Sequence, residues 1–102
     1  MANDLTLFVG TYTRQGSAGI YTGLMNPATG AIDVRHITTG IENPSFVAVD
    51  PTGEHLYSVC ETSDLTTHGA ITAFEINGDG SLRELNRQAT GGPGPCHLTV
   101  DA

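Results

Sequence analysis

The chain repeats itself at a spacing of about fifty residues, and this repeat limits the possible folds more than any other feature. Pro44 and Asp50 recur as Pro95 and Asp101, 51 residues later in each case. Each repeat contains several short β-like runs separated by turn residues. Whatever fold the chain adopts must therefore build the same supersecondary unit more than once.

Eight short runs of apolar and β-branched residues are predicted to be β-strands, because residues that form tight turns lie between them. The clearest turns are at residues 26–30, 50–53 and 77–80. No window has apolar residues at the spacing of a helix, so no helix is predicted. The predicted strands are 5–9, 19–24, 31–37, 46–49, 55–60, 70–76, 82–85 and 97–100.

Four strands in about fifty residues are typical of a β-propeller blade, so we predict an all-β fold of blades with four antiparallel strands. Residues 5–43 would form an incomplete blade, residues 44–90 a complete one, and residues 95–102 the first strand of the next. The alternative is a two-sheet sandwich of eight strands. Two blades cannot close a ring, since propellers have about four to eight. The chain therefore opens a longer protein, or copies of it assemble into a homo-oligomer by exchanging strands.

The composition excludes several classes of partner. Eleven acidic residues stand against four arginines and no lysine, which gives a formal charge of −7. Such a chain lacks the basic clusters that bind nucleic acid, and it has no lysine for Schiff-base chemistry. No apolar segment is long enough to span a membrane. Cys60 and Cys96 are too few for a disulfide framework, so we expect reduced thiols and a cytoplasmic protein.

Comparison of the two repeats singles out His97. The residues after the repeated proline are Ser45-Phe46 in one unit and Cys96-His97 in the next, so an imidazole replaces an apolar ring. The inner strand of a blade lines the central channel, where His97 could reach a ligand at the mouth of the ring. The alternative is a channel-lining histidine that binds a backbone carbonyl group.

Glu61 ends the second strand of the complete blade, next to Thr62, Ser63 and Asp64. If that edge is the ligand side, Glu61 could orient His97 or a water molecule. The alternative is a solvated carboxylate at a strand end. Thr11 and Tyr12, at the equivalent end of the first repeat, either line the same mouth or pack within the fold.

The other motifs do not indicate a metal site, a cofactor site or a serine nucleophile. The remaining histidines have no spacing typical of a metal site, and we expect neither a metal nor a cofactor. The glycine- and proline-rich segment 91–95 is interpreted as a connection between blades. No nucleophile elbow of a serine hydrolase is present. The remaining histidines are His36, His55 and His68.

Several short motifs together resemble one known family. They are Phe8-Val9-Gly10-Thr11-Tyr12-Thr13, Gly19-Ile20-Tyr21, Asn43-Pro44-Ser45-Phe46, Leu56-Tyr57-Ser58-Val59-Cys60-Glu61, Gly69-Ala70-Ile71 and Gly94-Pro95-Cys96-His97-Leu98-Thr99-Val100-Asp101. In this order they resemble the lactonase family of seven-bladed propellers.

The resemblance implies a cytoplasmic enzyme that hydrolyses a small-molecule sugar lactone, in the first place 6-phosphogluconolactone. In such an enzyme His97 would act as a general base on water, with Glu61 beside it, as the catalytic residues. A lactone-forming carboxymuconate cycloisomerase and a non-catalytic propeller scaffold are the alternatives. Seven units would need roughly 350 residues, so we expect the 102-residue chain alone to be inactive.

A phosphorylated substrate would need cations, and the chain has only four. They lie mostly in loops or outer strands, and the sequence assigns none of them to a phosphate. We therefore expect the phosphate anchors to come from blades outside this chain. The four cations are Arg14, Arg35, Arg83 and Arg87.

Overall fold

The computed structural model describes residues 3–62 and 69–101 of the chain. These ranges contain seven β-strands and a short 3-10 helix, Thr13–Gln15. None of their helical segments is long and apolar enough to cross a lipid bilayer. The strands are β1 (Leu5–Val9), β2 (Ile20–Met25), β3 (Ile32–Thr38), β4 (Val47–Val49), β5 (His55–Cys60), β6 (Ala70–Ile76) and β7 (Leu82–Ala89).

The strands form two antiparallel sheets, β1-β2-β3 and β4-β5-β6-β7, in which neighbours along the chain are also neighbours in the sheet. Val47 of β4 lies opposite Ser58 of β5, and Cys60 of β5 lies opposite Ala70 of β6. An up-and-down sheet of four strands is the unit of a propeller blade. The predicted all-β fold with antiparallel four-stranded blades is therefore confirmed.

The two sheets have register shifts and turns at equivalent positions, in addition to the same order of strands. The register between β2 and β3 shifts after Thr22, and that between β6 and β7 shifts after Ala73, 51 residues later. The turn between β2 and β3 closes with the N–H of Gly30, and the turn between β6 and β7 closes with that of Gly80. The second turn is one residue shorter, which explains why the spacing of the repeat falls to 50.

The apolar core joins the two sheets. Its fully buried members come from the start of β2, from the connection after β3 and from both central strands of the second sheet. Removing an aliphatic or aromatic side chain of this size from water contributes about 1.5–3 kcal/mol. The sheets therefore stabilise each other as stacked blades. The buried cluster consists of Ile20, Ile41, Leu56, Cys60 and Phe74.

Three elements differ from the sequence prediction, while the other strands begin and end within one residue of it. β7 continues to Ala89, beyond the predicted end at residue 85, because its ladder to β6 continues where its side chains turn polar and exposed. The 3-10 helix was not predicted, since three residues are too few for a periodic pattern. The predicted strand 97–100 pairs with no described segment, and an apolar run without a hydrogen-bonding partner does not form a ladder.

Asn43 holds the connection that crosses from the first sheet to the second. It is 2% exposed and has a φ of 42°, in the left-handed region that asparagine tolerates better than most residues. Its Oδ1 accepts hydrogen bonds from Thr13 Oγ1 at 3.3 Å and from the backbone N–H of Arg14 at 3.2 Å. Its Nδ2 donates to the carbonyl oxygen of Glu61 at 2.9 Å. One side chain thus joins the 3-10 helix after β1 to the end of β5.

Asp50 organises the turn between β4 and β5. Its Oδ1 accepts hydrogen bonds from Thr52 Oγ1 at 3.0 Å and from the backbone N–H groups of Glu54 and His55 at 3.0 and 3.2 Å. Its Oδ2 lies 3.0 Å from His55 Nδ1. Partial burial raises the pKa of Asp50, but these hydrogen bonds outweigh it and lower the pKa to about 2. The folded protein therefore favours the ionised form of this carboxyl group.

We predict that the protein loses stability as the pH falls from about 4 to about 2, partly through Asp50. The contribution is fully present above the ordinary pKa of 3.8 and is lost as the pH falls through about 2. Asp50→Asn should reduce the slope of thermal stability against pH in this window. Hydrogen bonds from Ser81 also lower the pKa of Asp79, so some slope should remain. An unchanged slope in the Asp50→Asn variant would contradict the assignment.

Asn43→Gly should destabilise the protein by about 2–4 kcal/mol, because three partly buried side-chain hydrogen bonds are lost and their partners are left unpaired. Glycine adopts the left-handed backbone without strain, whereas alanine does not. Asn43→Ala should therefore cost about 1 kcal/mol more than the removal of the hydrogen bonds alone. Thermal or urea unfolding measures both variants. Wild-type stability of Asn43→Gly would show that these bonds do not hold the connection.

Candidate functional site

Glu61 directly follows β5, and two hydroxyl groups hold its carboxylate. Tyr12 Oη donates to Glu61 Oε2 at 3.0 Å, and Ser45 Oγ donates to the same oxygen at 2.5 Å. The backbone N–H of Glu61 donates to the carbonyl oxygen of Asn43 at 3.1 Å. Within the described ranges, Oε1 accepts no hydrogen bond from another residue. The carboxylate is therefore fixed in place, and no other residue of the described ranges occupies its second oxygen.

The strand order explains why these three side chains meet. β4 is antiparallel to β5, so Ser45, just before β4, lies beside the end of β5. Tyr12 reaches the same edge because the backbone N–H of Thr11 donates to the carbonyl oxygen of Pro44 at 2.9 Å. Glycine is needed next to that contact, since a Cβ atom on Gly10 would lie 2.3 Å from the same oxygen. Tyr12 thus belongs to the edge that carries Glu61.

Thr11 serves the fold and not the edge. Its backbone N–H is bound to Pro44, and its Oγ1 donates to the carbonyl oxygen of Gly19 at 2.6 Å. Its two polar donors therefore bind the connection between β1 and β2 to Pro44, before β4, and to Gly19, before β2. Of the two interpretations given to Thr11, the structure supports packing.

His97 is exposed and lies against an aromatic ring of the preceding unit. The centroid of its imidazole is 4.5 Å from that of Phe46, with an angle of 52° between the ring planes. This tilted arrangement is a favourable one for two aromatic rings. No hydrogen bond of the imidazole occurs within residues 3–62 and 69–101, so the alternative of a histidine bound to a carbonyl group is not seen there. Both ring nitrogens are open to a ligand.

The structure places His97 and Glu61 near the same short segment without joining them directly. Glu61 binds the side chain of Ser45, and His97 packs on the next residue, Phe46. No hydrogen bond or ion pair links Glu61 to His97 in the described chain. A bound water or substrate group would have to connect them, so their common catalytic role stays a prediction.

Arg14 extends the site beyond Tyr12. Its guanidinium carbon lies 5.6 Å from the ring centroid of Tyr12, within the range of a cation–π contact. The phenol of the same tyrosine binds Glu61. A cation, an aromatic ring and a carboxylate therefore follow one another along this edge. The sequence alone assigns no role to Arg14 and does not mark Ser45 as a partner of Glu61.

The other titratable residues of the sequence analysis lie elsewhere. His36 Nε2 is 3.0 Å from the carbonyl oxygen of Asp79, and His55 is part of the turn organised by Asp50. Ser63, Asp64 and His68 lie outside the described residues. Among residues 3–62 and 69–101, no group of three metal-binding side chains is close enough to hold an ion.

Two grooves open between neighbouring units, and neither includes the Glu61 site. An apolar groove of about 350 Å³ lies between the second sheet, at Tyr57 and Ile71, and residues 98–101. A more polar groove of about 490 Å³ lies between β1 and the second sheet, near Thr6 and Asn77. Both are clefts between blades. The candidate site is instead the exposed edge where Glu61, Tyr12, Arg14 and His97 are found.

Comparison with known proteins gives consistent matches. The chain is 38% identical over 97 residues to a 6-phosphogluconolactonase of Formosa agariphila, and 37% identical over 95 residues to one of Bacillus subtilis. These alignments cover 93% and 92% of this chain but 27% and 26% of the relatives. The chain thus spans about a quarter of their length.

A solved structure agrees in fold. A Bacteroides fragilis protein assigned as a 6-phosphogluconolactonase superposes with a TM-score of 0.88 at 38% identity, covering 96% of this chain and 27% of that protein. Residues 6–102 match the family model described as lactonase, 7-bladed beta-propeller, which decides against the eight-stranded sandwich. With its repeated blades and its match over nearly the whole length, the chain belongs to the lactonase family of seven-bladed β-propellers.

Proposed function

We propose that this chain forms part of an enzyme that hydrolyses 6-phosphogluconolactone to 6-phosphogluconate. The two relatives of known name that share over a third of its residues are 6-phosphogluconolactonases. Two blades expose unpaired strand edges, and a propeller removes these by closing its ring. The chain therefore acts as part of a closed ring of seven blades, called the complete ring below, and is inactive by itself.

The observation that carries this proposal is the pair of groups beside the Ser45-Phe46 segment. A carboxylate is held by two hydroxyl donors on one side, and an imidazole with open nitrogens packs on the other. Lactone hydrolysis needs a base that takes a proton from water and a second group that orients the water molecule. An imidazole suits the first role because its ordinary pKa lies near neutral pH. Held in a single orientation, Glu61 suits the second.

The reaction needs one water molecule and no net change in oxidation state. The water oxygen attacks the lactone carbonyl carbon while His97 takes a proton from the water. The bond between that carbon and the ring oxygen of the lactone then breaks, and the imidazolium returns the proton to the departing oxygen. The product is an open-chain hydroxy acid, which ionises at neutral pH. His97 is the proposed catalytic base, and Oε1 of Glu61 is the proposed acceptor that orients water.

We place the enzyme in the cytoplasm on the basis of its two unpaired thiols. Cys60 is buried and Cys96 is exposed, and neither forms a disulfide. Reduced cysteines are the rule in the cytosol, whereas secreted proteins commonly pair them. The partner that we propose is the small-molecule lactone, with no cofactor required by the step above.

The test is to replace His97 with phenylalanine in the complete ring. This variant removes the imidazole, while an aromatic ring, as in Phe46 of the other repeat, remains against Phe46. General base catalysis is worth about 10²–10⁴-fold, so turnover of 6-phosphogluconolactone should fall well over tenfold. The melting temperature should stay nearly unchanged, because His97 is exposed and the ring contact with Phe46 is kept. Turnover is measured after subtraction of spontaneous hydrolysis.

His36→Phe is the matched control, because His36 lies on β3 in the first sheet, away from the proposed site. It should retain wild-type turnover. Wild-type turnover of His97→Phe would remove His97 from the mechanism. A complete ring that closes carboxymuconate to a lactone, but hydrolyses no sugar lactone, would make the protein a cycloisomerase. A ring inactive on both substrates would be a binding scaffold.

A further inference from the structure

The four arginines of the chain differ in how their charges are balanced. Three of them, on the outer strands of the two sheets, form ion pairs with carboxylates of the same or the neighbouring strand. Arg35 pairs with Asp33 on β3, at 2.9 Å. Arg83 and Arg87 of β7 pair with Glu75 and Glu84, at 2.5 and 3.2 Å. Their charges are thus already satisfied far from the candidate site.

Arg14 makes no ion pair with any residue in the ranges 3–62 and 69–101. Its guanidinium also donates no hydrogen bond within those ranges, so its N–H groups remain available to a ligand. It is nevertheless held in position. Its backbone N–H donates to Asn43 Oδ1, and its guanidinium lies against the ring of Tyr12. An anchored cation without a carboxylate partner is unusual in a chain with a formal charge of −7.

We propose that Arg14 binds the phosphate group of the substrate. The proposal rests on the lactone hydrolysis proposed above and names the part of the substrate that this chain recognises. A guanidinium group can donate two parallel hydrogen bonds to phosphate oxygens, which gives both charge compensation and orientation. The Tyr12 contact reduces the freedom that Arg14 would lose on binding a ligand.

The order of side chains along the edge supports this assignment. Arg14 contacts Tyr12, which binds Glu61, which binds Ser45, and His97 packs on the residue after that serine. Arg14 and His97 are therefore the two ends of one series of contacts. In 6-phosphogluconolactone the phosphate is carried on a CH2 group beside the ring oxygen, and the reactive carbonyl carbon is bonded to that same ring oxygen, so the two groups are separate points that a site can recognise. One end of the edge would bind the phosphate, and the other would activate water at the carbonyl.

Glu61 lies between these ends and contributes a negative charge. The ring of Tyr12 separates it from the guanidinium, and no ion pair forms between Arg14 and Glu61. Glu61 therefore does not neutralise the cation. This arrangement favours binding of the phosphate at Arg14, beyond Tyr12, rather than next to Glu61.

The experiment compares two lactones in the complete ring, 6-phosphogluconolactone and unphosphorylated glucono-δ-lactone. Arg14→Gln should raise KM for the phosphorylated lactone by about tenfold or more, since a charged hydrogen-bonding partner is lost. The value of kcat/KM for glucono-δ-lactone should change less than about twofold, because that substrate has no phosphate. Arg14→Lys keeps the charge but loses the paired donors, so its KM should lie between the two.

Arg83→Gln is the matched control, because it removes the same charge from an ion pair on β7. It should leave both substrates unaffected. Equal effects of Arg14→Gln on the two lactones, or no effect on either, would overturn the assignment of Arg14. A wild-type ring that hydrolyses neither lactone would instead overturn the proposed function.

A binding measurement gives a second readout that does not depend on turnover. Calorimetric titration of the complete ring with 6-phosphogluconate should show about tenfold weaker binding to Arg14→Gln than to wild type. Gluconate, which lacks the phosphate, should bind both proteins equally. Unchanged 6-phosphogluconate binding would exclude Arg14 as the anchor whatever the activity of the ring.

Discussion

The candidate site depends on how the chain crosses from one blade to the next. That crossing lies against the ends of β1 and β5, and the buried side chain of Asn43 fastens it to both. The crossing then delivers Ser45 to the carboxylate of Glu61 and places Phe46 under His97. Because the same side chain also binds the backbone N–H of Arg14, a single buried amide positions both ends of the site. A change at this crossing should therefore affect function and stability together.

The repeat explains how a symmetric scaffold acquires an asymmetric site. Gly94 stands where the preceding unit has Asn43, and both adopt left-handed backbone conformations, with φ of 67° and 42°. The backbone of the crossing is thus kept while its side chains change. Ser45 and Phe46 bind and pack within the blade, whereas Cys96 and His97 are exposed. Equivalent positions can therefore pack within the fold in one blade and be exposed to a ligand in the next.

Much of the fold follows from local sequence signals. Turn residues and apolar runs located both ends of six strands to within one residue, most clearly in β2, β5 and β6, which contribute side chains to the core between the sheets. The polar end of β7 was missed, since its ladder to β6 is made by backbone groups that carry no sequence pattern. The run at 97–100 shows the opposite case, a strand-like pattern without a partner in the described chain.

The site was only partly predictable for a physical reason. Glu61 and His97 stand out by position in the repeat, and the family resemblance points to the same segments. The hydrogen bonds of Tyr12 and Ser45 to Glu61 join residues 49 and 16 positions apart, which no local pattern reveals. The sequence does not distinguish Arg14 from the other three arginines. The structure does, because those three form ion pairs with carboxylates and Arg14 forms none within the described residues. The expectation that every phosphate anchor lies outside this chain is therefore replaced by the proposal for Arg14.

The central claim is that one edge of these blades binds both the phosphate and the reactive carbonyl group of a phosphorylated lactone. A crystal structure of the complete ring with 6-phosphogluconate bound tests it most directly. We expect the phosphate oxygens within hydrogen-bonding distance of the Arg14 guanidinium, about 2.7–2.9 Å, and the carboxylate of the ligand at His97. A ligand bound in the reverse direction, or at an edge that includes neither Arg14 nor His97, would contradict the account.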